Sequence, residues 1–456
     1  MFFVIPVLIA LGLASVLGVL ICDEARTSKL QAEWLSWYGS RISFTMQPGA
    51  NAKLRTPTTG PYNERLGYSY LPFFLKALQG DDYIVTEQMR SSPTYDYFLD
   101  RGLYPIYHPK TVVGLTLFDR RSQPLYSASY PNHVFAKFSD VPPLLVQSLL
   151  FIENRELLKD GPITRNPAIE WGRFLHAALV HMLHIFMPEA NAGGGSTLAT
   201  QIEKFRFSPG GQTSGGMDKI RQIASASLRV YLDGPDTRRA REQIALDYLN
   251  STPLGARPGF GEVNSIGDGL WAWFGIDLDA ATQALNLPED DPGSLRAKAH
   301  VYRAVLALIL AQRRPTFYLV SDRTSLDDLT DAALDRLTEK GVISRDLCNA
   351  TKDATLHFLP EAPPSAPSAF IEQKAVNALR THLANMLGLR KLYEVDRLDL
   401  SARSTLDEDA EQRAVAFLKK MGDREFLEAS GFYGFRLLNP NNDPSKINWS
   451  VMLYER

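Results

Sequence analysis

The sequence predicts a mainly α-helical protein, with an apolar N-terminal helix and a small mixed α/β module before its main domain and a partial α+β element after it. Three observations carry that expectation. The chain opens on the uncharged run MFFVIPVLIALGLASVLGVLIC, helical apolar periodicity dominates from about 142 to 320, and a Pro/Ser break, PEAPPSAPSA, precedes a short helix–strand–helix pattern.

The opening run, residues 1–22, is long enough to cross a bilayer core, which takes about 20 residues. It lacks the basic start and small-residue cleavage site of a signal peptide, so an uncleaved transmembrane anchor is expected. Residues 23–37 read as a juxtamembrane helix. The stretch 38–110 is rich in Pro, Gly, Tyr and Thr and reads as loops with short elements. TVVGLTLFDRRSQPLYSASY, residues 111–130, reads as two strands around a polar turn, completing a mixed module over 23–140.

The main helical domain is expected over 141–358. AIEWGRFLHAALVHMLHIFM is apolar on nearly all sides, DKIRQIASASLRVYL and REQIALDYLN are amphipathic, and LRAKAHVYRAVLALILAQRR is apolar through its middle. Residues 359–369 form the linker. Residues 370–456 follow as a helix, a strand around DLSARSTL, a helix over DEDAEQRAVAFLKKM and a closing strand, NWSVMLYER.

Bulk composition narrows the function classes. A chain of 456 residues exceeds the size at which single cores stop growing. Its net charge of −2 offers no polyanion-binding surface, so nucleic acid is not expected as a partner. Cys22 and Cys348 make neither a disulfide framework nor a zinc site. His181 and His184 share a helix face with no carboxylate at ligand spacing, which is a poor metal site.

Two stretches carry candidate chemistry. In AGGGSTLATQIEKF three glycines run into Ser196 and Thr197 at a helix start, with Lys204 two turns on. Free amides at a helix N-terminus favour an anion, and a lysine adds formal charge. The same pattern also serves as a loop capping an ordinary helix, which is the commoner case. In LLFIENREL an apolar run delivers Glu153, with Arg155 and Glu156 close by. A carboxylate so placed is a candidate general acid or base, though a solvated helix end with local ion pairs has the same sequence signature.

The order of the motifs is more specific than any one of them. FIENREL, GGGSTLATQIEKF, DKIRQIASASLRVYL, REQIALDYLNSTPLG and GDGLWAWFG resemble the successive motifs of the peptidoglycan glycosyltransferase family over about 111–320. These membrane-anchored enzymes polymerise lipid II, alone or as the first half of class A penicillin-binding proteins. RSTLDEDAEQRAVAFL also looks like the linker that enters a penicillin-binding domain.

The resemblance implies a lysozyme-like glycosyltransferase domain outside the plasma membrane, in a single-pass protein. It implies Glu153 as general base toward a sugar hydroxyl, and it places Gln222 at the family's second catalytic glutamate. Arg155, Gly194, Gly195, Ser196, Thr197, Gln201, Lys204, Lys219, Arg221 and Asn250 then match substrate-binding positions. The implied partners are lipid II, the growing glycan strand, the membrane and other cell-wall proteins. No cofactor is firmly implied, and a divalent metal such as magnesium or manganese is left open.

The departures are specific. Asn154 replaces the aspartate after the glutamate, Leu157 a phenylalanine and Asp160 a histidine. Asp218 replaces an arginine, Leu246 a glutamate, and Gln222 cannot carry charge or hold a cation as glutamate would. A catalytically impaired relative that binds lipid II or scaffolds cell-wall assembly is the alternative. A lytic glycosidase would need a second carboxylate, Glu156 or Glu203, across the bond from Glu153. No Ser-x-x-Lys occurs, so no penicillin-type acylation nucleophile is expected.

Overall fold

The computed structural model describes residues 4–172, 196–363, 370–432, 438–439 and 443–450. The protein is mainly helical and divides into two compact units. The first comprises residues 1–72, 84–112 and 131–364, the second residues 73–83, 113–130 and 365–456. Residues of the mixed module expected at 23–140 fall partly in each unit.

In the first unit the helix Val4–Thr27 is followed at once by Lys29–Gly39. The juxtamembrane helix expected at 23–37 is therefore broken at Ser28, which takes a left-handed conformation (φ 52°). Glu24 stabilises the break by accepting from the amides of Leu30 and Gln31 at 2.9 and 3.0 Å, as an N-capping carboxylate does. From Leu11 to Ile21 the apolar side chains are exposed. Among the described residues, however, no helix is long and apolar enough to cross a membrane, so the fold gives no support to the expected anchor.

The core of this unit is built around the helix Pro292–Ala311, in which every residue from Val301 to Ala311 is buried. That explains why its sequence is apolar with no consistent polar face: neighbours cover it on all sides. Arg303, the one charge in that run, is offset by Asp327 and Asp331 at 3.0 and 2.8 Å. The helix Pro143–Glu153 packs on it through Leu145 and Leu149, and the Ser148 and Tyr302 hydroxyls meet at 2.7 Å. Proline begins that helix where no amide is needed, and Asn154 ends it by leaving helical geometry (φ −157°, ψ 70°).

The GDGLWAWFG motif lies against the chain at Asn132–His133. Gly267 is required there, because a Cβ would stand 2.3 Å from the His133 carbonyl oxygen. Asp268 accepts from the His133 amide and imidazole, both at 2.9 Å, and the ring stacks on Trp271.

The second unit holds a three-stranded sheet. Leu115–Phe118 pairs antiparallel with Pro124–Ser127, as the sequence suggests, and parallel with Leu400–Arg403. Leu115 and Leu117 face a core shared with Val376, Ala384 and Val395, the first two of which lie on the helix Phe370–Met386. The helix Glu408–Lys420 follows, as expected. The linker is described only at 359–363, and most of the closing NWSVMLYER stretch also lies outside the described residues.

Candidate active site

Glu153 is the last residue of its helix, so its side chain leaves the apolar run that delivers it and is almost fully buried. Its Oε1 accepts from Arg313 Nη2 at 2.9 Å and from Gln312 Nε2 at 3.4 Å. Its Oε2 accepts from Gln201 Nε2 at 3.0 Å. Each of these three partners donates, and the carboxylate oxygens accept. Gln201 in turn accepts from the Tyr248 hydroxyl at 3.3 Å. Burial, and secondarily the charge of Glu153, push that phenol well above its usual pKa, so Tyr248 serves as a donor.

Gln201 belongs to the helix Leu198–Phe207, the one that follows the glycine stretch. Its start is occupied by protein groups. The Thr197 amide donates to Thr200 Oγ1 at 3.0 Å, the Thr200 amide to Thr197 Oγ1 at 3.3 Å, and the Leu198 amide to Asn154 Oδ1 at 3.0 Å. Three of the first four amides are thus satisfied internally, which corrects the expectation of free amides awaiting an anion. Thr197 is buried, its hydroxyl also donating to the Ala168 carbonyl at 3.1 Å, so it caps the helix.

Cations gather beside this helix start. Lys219, on the helix Gly216–Val230, donates to Ser196 Oγ at 2.8 Å. Burial, and then repulsion from Lys204, lower the Lys219 ammonium to about 8. Neither lysine forms an ion pair with a carboxylate among the described residues. Two ammonium groups near enough to repel each other, with no carboxylate paired to them among the described residues and a serine hydroxyl beside Lys219, are an arrangement that suits a multiply charged anion. Met217 and Ile220 are 65% and 58% exposed in the same helical turn as Lys219.

The remaining expected residues are placed elsewhere or otherwise engaged. Arg155 is exposed, folded over the Phe151 ring and donating to the Phe151 carbonyl at 3.0 Å. Arg221 pairs with Asp218 at 3.4 Å. Asn250 is buried and exchanges both its amide atoms with the backbone of Phe135, at 3.0 and 2.8 Å, which is a structural clamp. Gly194, Gly195 and the histidines at 176, 181 and 184 lie outside the described residues.

Gln222 is fully buried. Its Nε2 donates to Ser208 Oγ at 3.0 Å and Thr213 Oγ1 at 2.8 Å, while its Oε1 has no partner. Replacing it by glutamate puts a carboxylate among hydroxyls with no cation in hydrogen-bond contact. We expect Q222E to lose about 1–3 kcal/mol of stability at neutral pH. A buried carboxylate has its pKa raised on folding, so the loss should shrink as pH falls toward 5. Urea denaturation at pH 5 and 8 checks this.

A divalent cation does not fit these groups. Position 222 offers an amide directed at hydroxyls, and Asp218 accepts from the Ser214 amide and hydroxyl. Lys204 and Lys219 already supply positive charge. Among the described residues no cluster of three or more metal-binding side chains occurs. The second carboxylate of a lytic enzyme is likewise committed: Glu203 is buried against Arg229 at 2.7 Å, and Glu156 pairs with Lys159 and Arg165.

Residues 121–291 match the family model described as Transglycosylase. That stretch belongs to the transglycosylase family, in keeping with the order of motifs, and glycosyl transfer is the class of chemistry it brings. No curated protein matches the chain. Arg313 and Gln312 lie outside the matched stretch, and the sequence does not single them out. The only signal was polar residues ending an otherwise apolar core helix.

Proposed function

We propose that the protein is a peptidoglycan glycosyltransferase that polymerises lipid II. Glu153 takes the proton from the acceptor sugar hydroxyl as that oxygen attacks the anomeric carbon of the donor. The bond from that carbon to the lipid diphosphate breaks, and the electron pair leaves with the diphosphate. Lys204, Lys219 and Ser196 stabilise the leaving charge, so this group needs electrostatic help more than a proton. The single observation that carries the reading is Gln201, which hydrogen-bonds Glu153 from the same helix that bears Lys204.

The lipid part of the substrate accords with the exposed Met217 and Ile220 beside Lys219. We place an anchor at residues 1–22 on the strength of their uncharged sequence. The exposed Leu30, Trp34 and Trp37 on the next helix suit the interface where tryptophan is enriched. On this reading the helical domain faces the exterior of the plasma membrane, where its substrate and other cell-wall proteins are found.

Incubating the purified full chain with fluorescent lipid II in detergent, with and without magnesium, tests the proposal. We expect glycan ladders under both conditions. Binding without elongation would overturn it in favour of a lipid II-binding scaffold, the reading that the uncharged, buried Gln222 favours. A strong rise in elongation from near zero in Q222E would point the same way.

A further inference from the structure

We infer that Asn154 and Glu170 form a positioning pair that joins the helix carrying Glu153 to the start of the helix carrying Gln201 and Lys204, and that the carboxylate at 170 is what requires an amide at 154. The inference deepens the proposed function and rests on it for its kinetic consequences.

Asn154 directly follows Glu153 and is buried. Its Nδ2 donates to Glu170 Oε1, and its Oδ1 accepts from the Leu198 amide at 3.0 Å. These two partners fix the amide orientation. A backbone N–H needs an acceptor and a carboxylate needs a donor, so the flipped amide would set donor against donor and acceptor against acceptor. One side chain thereby ties the end of one helix to the first residue of the other. Any slip of Asn154 moves Glu153, next to it in the chain, relative to Gln201 and Lys204.

The resembled family carries aspartate where this chain has Asn154. Aspartate could still accept from the Leu198 amide, but its other oxygen would meet Glu170. Two carboxylates in hydrogen-bond contact cannot both be charged at low cost, so one proton must be shared or the pair must part. Glu156, Arg165 and Arg241 are the other charged groups lining the small cavity beside this pair. Glu156 is already engaged by Arg165 at 3.5 Å. The substitution at 154 is thus compensated locally and keeps the acceptor that the Leu198 amide needs.

The test is a four-protein cycle in the full chain: wild type, N154D, E170Q and N154D/E170Q, assayed on lipid II and by thermal denaturation. At pH 7.5 N154D should lose roughly ten- to a hundredfold in kcat, because misplacement of about 1 Å costs that much. It should recover toward pH 5.5, where the two carboxylates can share a proton. The double variant reverses the pair, with a glutamine donor facing an aspartate acceptor, and should return to within about threefold of wild type in both kcat and melting temperature. E170Q alone keeps a side-chain oxygen that can accept from Asn154, so it should lose less than N154D in both kcat and melting temperature.

A folded N154D with wild-type kcat would overturn the inference, as would a loss that E170Q fails to rescue. If N154D does not fold, recovery of folding in the double variant supports the pair and its absence overturns it. If wild type does not polymerise, the proposed function fails by itself. The melting temperatures still decide the pair, with coupling between the two substitutions supporting it and additivity overturning it.

Discussion

Glu153→Gln should reduce glycan elongation by roughly 10²- to 10⁴-fold, the range that a positioned general base contributes. The side chain keeps its size, and the amide oxygen that remains can still accept from Arg313, so the substitution should leave the fold intact. The Gln201 amide must then turn, because the introduced amide nitrogen would face Gln201 Nε2, donor against donor. Binding of the donor substrate should survive, since Lys204, Lys219 and Ser196 are untouched. The expected signature is a fall in kcat with KM for lipid II changed by less than about tenfold, the mark of an interaction used in the transition state. Elongation at the wild-type rate would remove Glu153 from the chemistry. A rise in KM with kcat preserved would make it a binding residue instead.

The local setting of each candidate group can be read from its own stretch of sequence. Glu153 stands at the end of an apolar run, Ser196 just before a helix start and Lys204 in the last turn of that helix. The parts that failed are those fixed by distant partners. Arg313 reaches Glu153 across 160 residues, and nothing local marks it. The amides of the Leu198 helix looked available because Asn154, 44 residues earlier, is not a visible partner. Asn250 and Thr197 carry the right atoms for substrate but donate and accept within the core, where a buried polar group must find a partner. One strand pairing of the second unit is hidden for the same reason. The hairpin at 115–127 follows from alternation and a turn, whereas its parallel partner at Leu400–Arg403 cannot be read from either strand.

Lys219 should give the site its alkaline limit. With its ammonium lowered to about 8 by burial and by Lys204, kcat/KM should fall as pH rises through that value, because the free protein loses one of two donor-binding charges. A bound diphosphate favours the charged form and raises the pKa, so the corresponding limb in kcat should lie at higher pH. K219M should lose the limb, along with about tenfold to a hundredfold in donor affinity, the worth of a charged hydrogen bond. K204A should shift the kcat/KM limb to higher pH by relieving the repulsion. The linkage to stability has the opposite sense to that of a paired lysine. Between about 8 and the ordinary lysine value of 10.5 the unfolded chain holds the proton that the folded chain has released, so wild-type stability should rise with pH there. Below 8 both states are protonated and the cost of the buried charge is fully present. K219M should therefore be more stable than wild type at pH 7, and should lack the rise when urea midpoints are compared from pH 7 to 10.5. Such a gain in stability with a loss of affinity would mark Lys219 as a residue held at a cost to folding for the sake of its ligand. If K219M left both affinity and the alkaline limb unchanged, the diphosphate would have to be held elsewhere.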